Sequence, residues 1–442
     1  MKPSTRDASL VALVALLARL AVVFWAAPRI APTADATYYQ VLATRLAEGH
    51  GYTWLWPDGA VTYAAHYPVG YPAILAVFYF VFGAKAWIGM LVNAVVGALG
   101  AASIHVLLEG VTSRRLAFLG ALAIALHPAL VPYTAALMTE GVTAALLSIV
   151  AALVVRARST ERRLGWLAGA SIVMGITVLV RPQSLLLAPV FGWLATQRSL
   201  KGAIVMTCLA VATCAPWTLR NCVHMKKCAL VSVNGGWNLA IGTESTDGGW
   251  HEVTVPDACK DVFDEAEKDT CFGREARRAI VRHPAAWLAR VPAKVRMTLD
   301  YFGAAPWYLH ASSPERFSYD QKTALGAIET LAARLFLAAA LIAVMRIDGP
   351  RRKIRLALCV VGLVACVIAA GTVGYLACAL AILALGPGAL ARGPLVVPIT
   401  AAVVLLTALT HAVFFGAGRY GLVVVPFVTA LGFVRARSTG SR

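Results

Sequence analysis

The sequence predicts an all-α polytopic membrane protein, with about twelve transmembrane helices and additional juxtamembrane helices, and three observations predict it. Apolar residues make up 59% of the 442 positions and charged residues only 14%, with a mean hydropathy of +0.71. The apolar residues gather in repeated runs of about 20, the length a helix needs to cross a hydrocarbon core. Basic residues gather between those runs: at Arg114 and Arg115, from Arg156 to Arg163, at Arg198 and Lys201, from Arg346 to Arg355, and from Arg435 to Arg442. This is the positive-inside distribution and marks cytoplasmic loops. The net charge of +18 therefore reports membrane orientation, and nucleic acid is not expected as a partner.

The expected spans are residues 8–28, 87–108, 116–132, 139–156, 164–180, 184–197, 202–216, 325–345, 356–371, 373–388, 394–414 and 420–434. The first is too long for a signal-peptide core and lacks a small-x-small exit, so it reads as a span with the amino terminus inside. The apolar piece "YPAILAVFYFVFG" (71–83) reaches only about 20 Å as a helix, short of a core of about 30 Å. Counting it as a span would also put the arginine clusters outside, so it is expected to be interfacial or re-entrant. The chain then divides into an N-terminal transmembrane module (1–216) with an outer loop at 29–86, an outer cap (217–324) and C-terminal transmembrane helices (325–442). Both termini are placed in the cytoplasm of a bacterial inner membrane. Residues 261–300 carry a helical pattern expected to break at Pro284 and Pro292.

Nine cysteines are present. Cys208, Cys214, Cys359, Cys366 and Cys378 lie in apolar runs and read as packed thiols. Cys222, Cys228, Cys259 and Cys271 share the cap, where one or two disulfides are expected in an oxidising compartment. Cys259 with Cys271 is the preferred pair, because it closes the acidic segment "CKDVFDEAEKDTC".

A few isolated charges stand where apolar runs meet water. Asp35 follows the first span and opens a helix whose apolar face is Tyr38, Leu42 and Leu46, with Tyr39, stopped at Gly49. Its carboxylate, or the Thr33 hydroxyl, can cap that helix; as a general base it would sit at the outer interface. His66 in "HYPVGYP" either is solvated or orients a phosphate or sugar. Lys85 either snorkels or pairs with a lipid phosphate. Glu140 either favours a helix N-terminus or is a second acid beside Asp35. Arg181 and Arg419 go against the positive-inside trend, and their planar guanidinium suits phosphate oxygens; the alternatives are an interfacial anchor or a partner for Glu140. Arg220 is a weaker third arginine, and Arg19 lies inside the first span. Phosphate-loop, HExxH and zinc-type Cys/His patterns are lacking, so no metal site and no cofactor are predicted.

In order along the chain, "DATYYQ", "HYPVGYP", "MTEGV", "VLVRPQS", "APWTLRN", "NGGWNLAIG" and "RYGLVVVP" resemble the GT-C-type membrane glycosyltransferases. The likeness is to the bacterial branch similar to protein O-mannosyltransferases and aminoarabinose transferases. It implies a GT-C-like fold with seven spans before the long outer loop, the number the charge distribution also gives. It implies a polyprenyl-phosphate-linked sugar as donor, a glycolipid, polymer or protein as acceptor, and an outer-loop aspartate as catalytic base, here Asp35. Many relatives carry a second acid directly after that aspartate; this chain has Ala36, which leaves open a divalent-metal role and the division of work with Glu140. Tyr38, Tyr39 and His66 are then expected to touch substrate, and Arg181, Arg419, Lys85 and Arg220 the donor phosphate. The competing class is a non-enzymatic flippase or exporter of lipid-linked sugars, for which Arg19 is the one candidate coupling charge within a span.

Overall fold

The computed structural model describes residues 3–197, 199–301, 303–368 and 370–435. Arg198 and residues 436–442, part of the basic clusters, lie outside the described residues. The first half of the chain forms α1 (Pro3–Ala26), α2 (Asp35–Ala47), α3 (Gly70–Phe82), α4 (Ala86–Leu108), α5 (Arg114–Ala125), α6 (Thr139–Ser159), α7 (Arg163–Val180), α8 (Ala188–Ala195) and α9 (Leu200–His224). The cap contributes α10 (Gly235–Glu244), α11 (Glu265–Arg282), α12 (Pro284–Leu299) and α13 (Ala304–Ser312). The chain ends with α14 (Tyr319–Met345), α15 (Arg352–Val367), α16 (Gly371–Leu383), α17 (Gly386–Arg392), α18 (Val396–Val413) and α19 (Val425–Leu431).

The fold is that of an all-α multi-pass membrane protein. Among the described residues seven helices, α1, α4, α6, α7, α9, α14 and α18, are long and apolar enough to cross a membrane, and an eighth span results if α16 and α17, bent by 91°, count as one. The other expected spans are apolar and helical but short. α5 has 12 residues and α15 has 16, Pro182–Ala195 is a short apolar segment, and the last is a 3-10 turn followed by the 7-residue α19. Twelve apolar runs therefore do not become twelve full-length helices. Prolines at 128, 182 and 426 interrupt the backbone where hydropathy alone sees continuity, and such breaks are tolerated at membrane depth when packed inside protein.

One break explains Arg19. α5 stops at Ala125, and Arg19 Nη1 donates to its carbonyl (3.0 Å) and to that of Ala15 (3.1 Å). Arg19 is 3% exposed and serves as a side-chain cap for a helix end, where a cation meets the negative pole of the helix dipole.

The apolar piece read as interfacial is the 13-residue α3. It is anchored by Gly70: a Cβ there would stand 2.5 Å from the Leu179 carbonyl carbon and the Val180 nitrogen. That contact sets "HYPVGYP" against the end of α7, where Arg181 follows. Ahead of it the chain makes a hairpin absent from the sequence-based expectation, β1 (Thr53–Leu55) antiparallel to β2 (Val61–Tyr63), with Trp54 opposite Thr62. Pro57, Asp58 and Gly59 (φ +85°) turn it.

In the cap, Pro284 separates α11 from α12 as expected, whereas Pro292 lies inside α12. Cys259 is bonded to Cys271 and Cys222 to Cys228. The cap grips the first loop. Glu265 Oε2 accepts from the backbone N–H of Ala65 (2.6 Å) and His66 (3.1 Å), Glu265 Oε1 accepts from Trp54 Nε1 (3.1 Å), and Ser312 donates to the Ala31 carbonyl (2.7 Å). The two long loops thus form one structure over one end of the helix bundle. Substituting Gly70→Ala is expected to cost about 1–3 kcal/mol, because backbone must move; a lowered Tm in detergent with unchanged helical circular dichroism is the measurement.

Candidate active site

Four charged side chains from four separate segments meet at the end of the bundle under the cap. Asp35 is the first residue of α2, Glu140 lies in the first turn of α6, Arg181 follows α7, and Arg419 lies in the 3-10 turn Gly418–Val423 after α18. Arg419 is the link. Its Nη2 lies 2.8 Å from Asp35 Oδ2 and its Nε 3.5 Å from Glu140 Oε1. Arg181 Nη1 approaches the same Glu140 oxygen at 2.9 Å. Two carboxylates and two guanidinium groups balance in charge, as burial demands.

Local structure aims each group. Asp35 does not cap α2: no side-chain cap bond forms, and the helix starts at Asp35 after Ala34, which sits at φ 51°, ψ −134°. A non-glycine residue there is strained by about 1–3 kcal/mol. The carboxylate leaves its own helix and takes Arg419 on one oxygen and the Tyr67 hydroxyl (3.3 Å) on the other. Glu140 is 3% exposed, and its second oxygen accepts from the Tyr133 hydroxyl at 2.8 Å. Arg181 donates to Thr139 Oγ1 (3.3 Å), and its Nε and Nη2 reach the Gln183 amide oxygen, in the orientation its neighbours require, at 3.0 and 3.1 Å. Both arginines lie over the Tyr420 ring, at 5.0 and 5.1 Å from its centroid. His411 stacks on that ring at 4.2 Å.

Around Asp35 stands an aromatic wall. Tyr38, 47% exposed rather than on the buried face of α2, stacks on Tyr67 at 5.1 Å and meets Trp54 edge-on. Tyr39 is buried, edge-on to Tyr67 and Tyr71. Burial foremost, and then the Asp35 charge, push the Tyr67 phenol above its usual range, so it stays a hydrogen-bond donor to Asp35. His66 packs between Tyr67 and Trp237; burial lowers its imidazole below the ordinary value, so at neutral pH it offers no positive charge to a phosphate.

Two expected phosphate ligands stand apart from this cluster. Arg220 donates to the carbonyls of Ala64 (2.8 Å) and Tyr52 (2.7 Å) and lies 4.7 Å from the centroid of the Trp217 ring. It clamps the base of the β-hairpin. Lys85 is exposed just before α4 and has none of the contacts that join the four charges. Tyr67, Tyr133, Tyr420 and Glu265 were not singled out from sequence as site residues. Interfacial tyrosines are common, and Glu265 sits in a segment crowded with acids.

A small cavity adjoins Arg181 on the side of α18. Arg181, Gln183, Ser184, Thr407, Thr410 and His411 mark its polar lining, and Leu147, Leu187, Val403, Leu406 and Val423 its apolar lining between α6, Pro182–Leu187 and α18. Among the described residues no group of three or more His, Cys, Asp or Glu side chains is arranged to hold a metal ion.

Residues 66–219 match the family described as dolichyl-phosphate-mannose-protein mannosyltransferase. The matched segment contains His66, Glu140 and Arg181. No curated protein sequence matches the chain. Among solved structures, the archaeal oligosaccharyltransferase AglB from Archaeoglobus fulgidus, in complex with an inhibitory peptide and a dolichol-phosphate, is 13% identical over 97% of this chain and 50% of its own, with a TM-score of 0.46. ArnT from Cupriavidus metallidurans in the apo state is 13% identical over 95% of this chain and 76% of its own, with a TM-score of 0.42. The same protein bound to undecaprenyl phosphate is 14% identical over the same shares, with a TM-score of 0.38. The chain spans half the length of AglB. Its resemblance to the mannosyltransferase family thus covers two of the four clustered charges.

The cluster separates two kinds of acid. Glu140→Ala leaves the buried Arg181 without its carboxylate and Arg419 with Asp35 alone, and is expected to cost about 3–5 kcal/mol. Asp35→Asn, at a side chain one-third exposed, is expected to cost no more than about 1 kcal/mol. Thermal unfolding of the two variants side by side in one detergent is the check.

Proposed function

We propose that the chain is an integral membrane glycosyltransferase that moves a sugar from a polyprenyl-phosphate donor to an acceptor hydroxyl or amine on the outer face of a bacterial inner membrane. The observation that carries this is the bridging of Asp35 and Glu140 by Arg419, with Arg181 on the same Glu140 oxygen and itself lining a small cavity beside aliphatic side chains. A lipid phosphate needs cations at its head, and Arg181 and Arg419 meet at the same Glu140 oxygen to supply them. The family match over residues 66–219 supports the same donor class. The two disulfides of the cap support an oxidising, non-cytoplasmic side, as does the clustering of arginines in the opposite loops.

In this structure the Asp35 oxygen nearest Arg419 is engaged by that guanidinium. A donor phosphate binding between Arg419 and Arg181 supplies both with a new anion and releases Asp35. Asp35 then accepts the proton of the acceptor as its oxygen or nitrogen attacks the anomeric carbon. The bond from that carbon to the phosphate oxygen breaks, and polyprenyl phosphate departs from the opposite face, so configuration inverts. The two arginines stabilise the charge on the leaving phosphate where water is partly excluded. Glu140 stays ion-paired and keeps the arginines in place. Tyr67 orients Asp35, and the open face of Tyr38 is a surface on which an acceptor can stack.

With purified protein, a polyprenyl-phosphate sugar and an acceptor, Asp35→Asn is expected to lower kcat by about 10²–10⁴-fold with donor affinity no weaker than that of the wild type. Full turnover in that variant would remove Asp35 from the mechanism.

A further inference from the structure

The chain reaches Arg419 through a short strap, residues 414–417, that leaves the end of α18. The cap holds this strap from both sides. Phe415 packs with Phe272 and Ile241 of the cap in one buried cluster that also contains Tyr420. The Gly416 N–H donates to the Gly248 carbonyl at 2.8 Å. Gly242 faces the Phe414 carbonyl and Gly416 faces the Lys294 carbonyl so closely that a Cβ at either position would collide with backbone.

Lys294 stands at the point where strap and helix join. It lies on α12, is 0% exposed, and its Nζ is 3.3 Å from the carbonyl of Val413, the last residue of α18. The Trp287 ring lies 5.0 Å away on the same helix. Among the described residues no carboxylate pairs with it. A buried ammonium without a counter-ion is costly, and here it is supported by the negative end of a helix dipole and an aromatic face. The cap thus reaches across to cap α18 at the residue from which the Arg419 strap departs.

We propose that Lys294 is a positioning residue for Arg419: by fixing the end of α18 it sets where the strap places the guanidinium between Asp35, Glu140 and the donor phosphate. It touches no reacting atom and acts through the backbone of residues 413–418. The proposal rests on the phosphate-binding role of Arg419 proposed above. It also makes the cap a part of the donor site, so that a change in α12 is felt at Arg419.

The test uses the full-length protein in detergent, with a polyprenyl monophosphate as binding probe and a polyprenyl-phosphate sugar for turnover. Lys294→Met is expected to weaken probe binding and to raise donor KM about tenfold, with kcat and acceptor KM nearly unchanged. Lys294→Arg, which keeps the charge, is expected to restore most of the affinity. In an Arg419→Ala background the Lys294→Met change is expected to add nothing, since residues acting through one another are non-additive. Wild-type probe affinity in a folded Lys294→Met protein, or an effect that simply adds to that of Arg419→Ala, would overturn the proposal. Unchanged probe affinity in Arg419→Ala alone would instead overturn the phosphate role on which it rests. Should Lys294→Met fail to fold, Trp287→Leu, which removes only the aromatic support of the ammonium, is expected to shift donor KM in the same direction by a smaller factor, and no shift would count against the proposal.

Discussion

The guanidinium of Arg419 is shared by two carboxylates that reach it from different parts of the chain, and the surrounding architecture exists to bring these groups together. Asp35 arrives on the short helix after the first span and Glu140 on the first turn of α6; Arg419 itself arrives on a strap after α18. Arg181, placed by the end of α7, completes the balance at Glu140. Glu140 and Arg181 are buried and neither charge is stable alone, so the starts of α6 and of the segment after α7 depend on each other for their position. Under the proposed function, a donor phosphate would add a further anion to a cluster whose charges already balance. Asp35 is the more exposed of the two acids, 33% against 3% for Glu140.

The two long loops act as one body. Glu265 ties the cap to the backbone at Ala65 and His66, and Arg220 ties the end of α9 to the hairpin base. Asp269, on the same face of α11 as Glu265, accepts from the backbone N–H of Gly236 (2.7 Å) and Trp237 (3.0 Å) at the start of α10. These contacts put Trp237 against His66 and close the aromatic wall beside Asp35. The cap is therefore part of the wall of the site.

Much of this was legible in the sequence, for physical reasons. A charge at the end of an apolar run is expensive enough to be noticed, and Asp35, Glu140, Arg181 and Arg419 stood out on that ground. Sequence could not show that they meet, because their separations of 41 to 384 positions carry no geometric information. Arg220 stood out by the same rule as Arg181, yet it clamps a hairpin; only the fold distinguishes an arginine facing carbonyls from one facing a carboxylate. Whether Asp35 capped its helix was open locally, and the turn at Ala34 that decides it leaves no mark in composition. Lys294 and Glu265 are hidden among many charges of the cap. Hydropathy located the apolar runs, but the count of twelve spans is not confirmed: among the described residues seven or eight helices are long and apolar enough, and prolines interrupt several of the other runs.

The central claim is that Arg419 exchanges a carboxylate for a lipid phosphate. An electron cryomicroscopy structure of the protein in nanodiscs with a polyprenyl monophosphate tests it most directly. The expected result is the phosphate between Arg181 and Arg419, with Asp35 separated from Arg419. A phosphate bound elsewhere, with the Asp35–Arg419 pair intact, would contradict it.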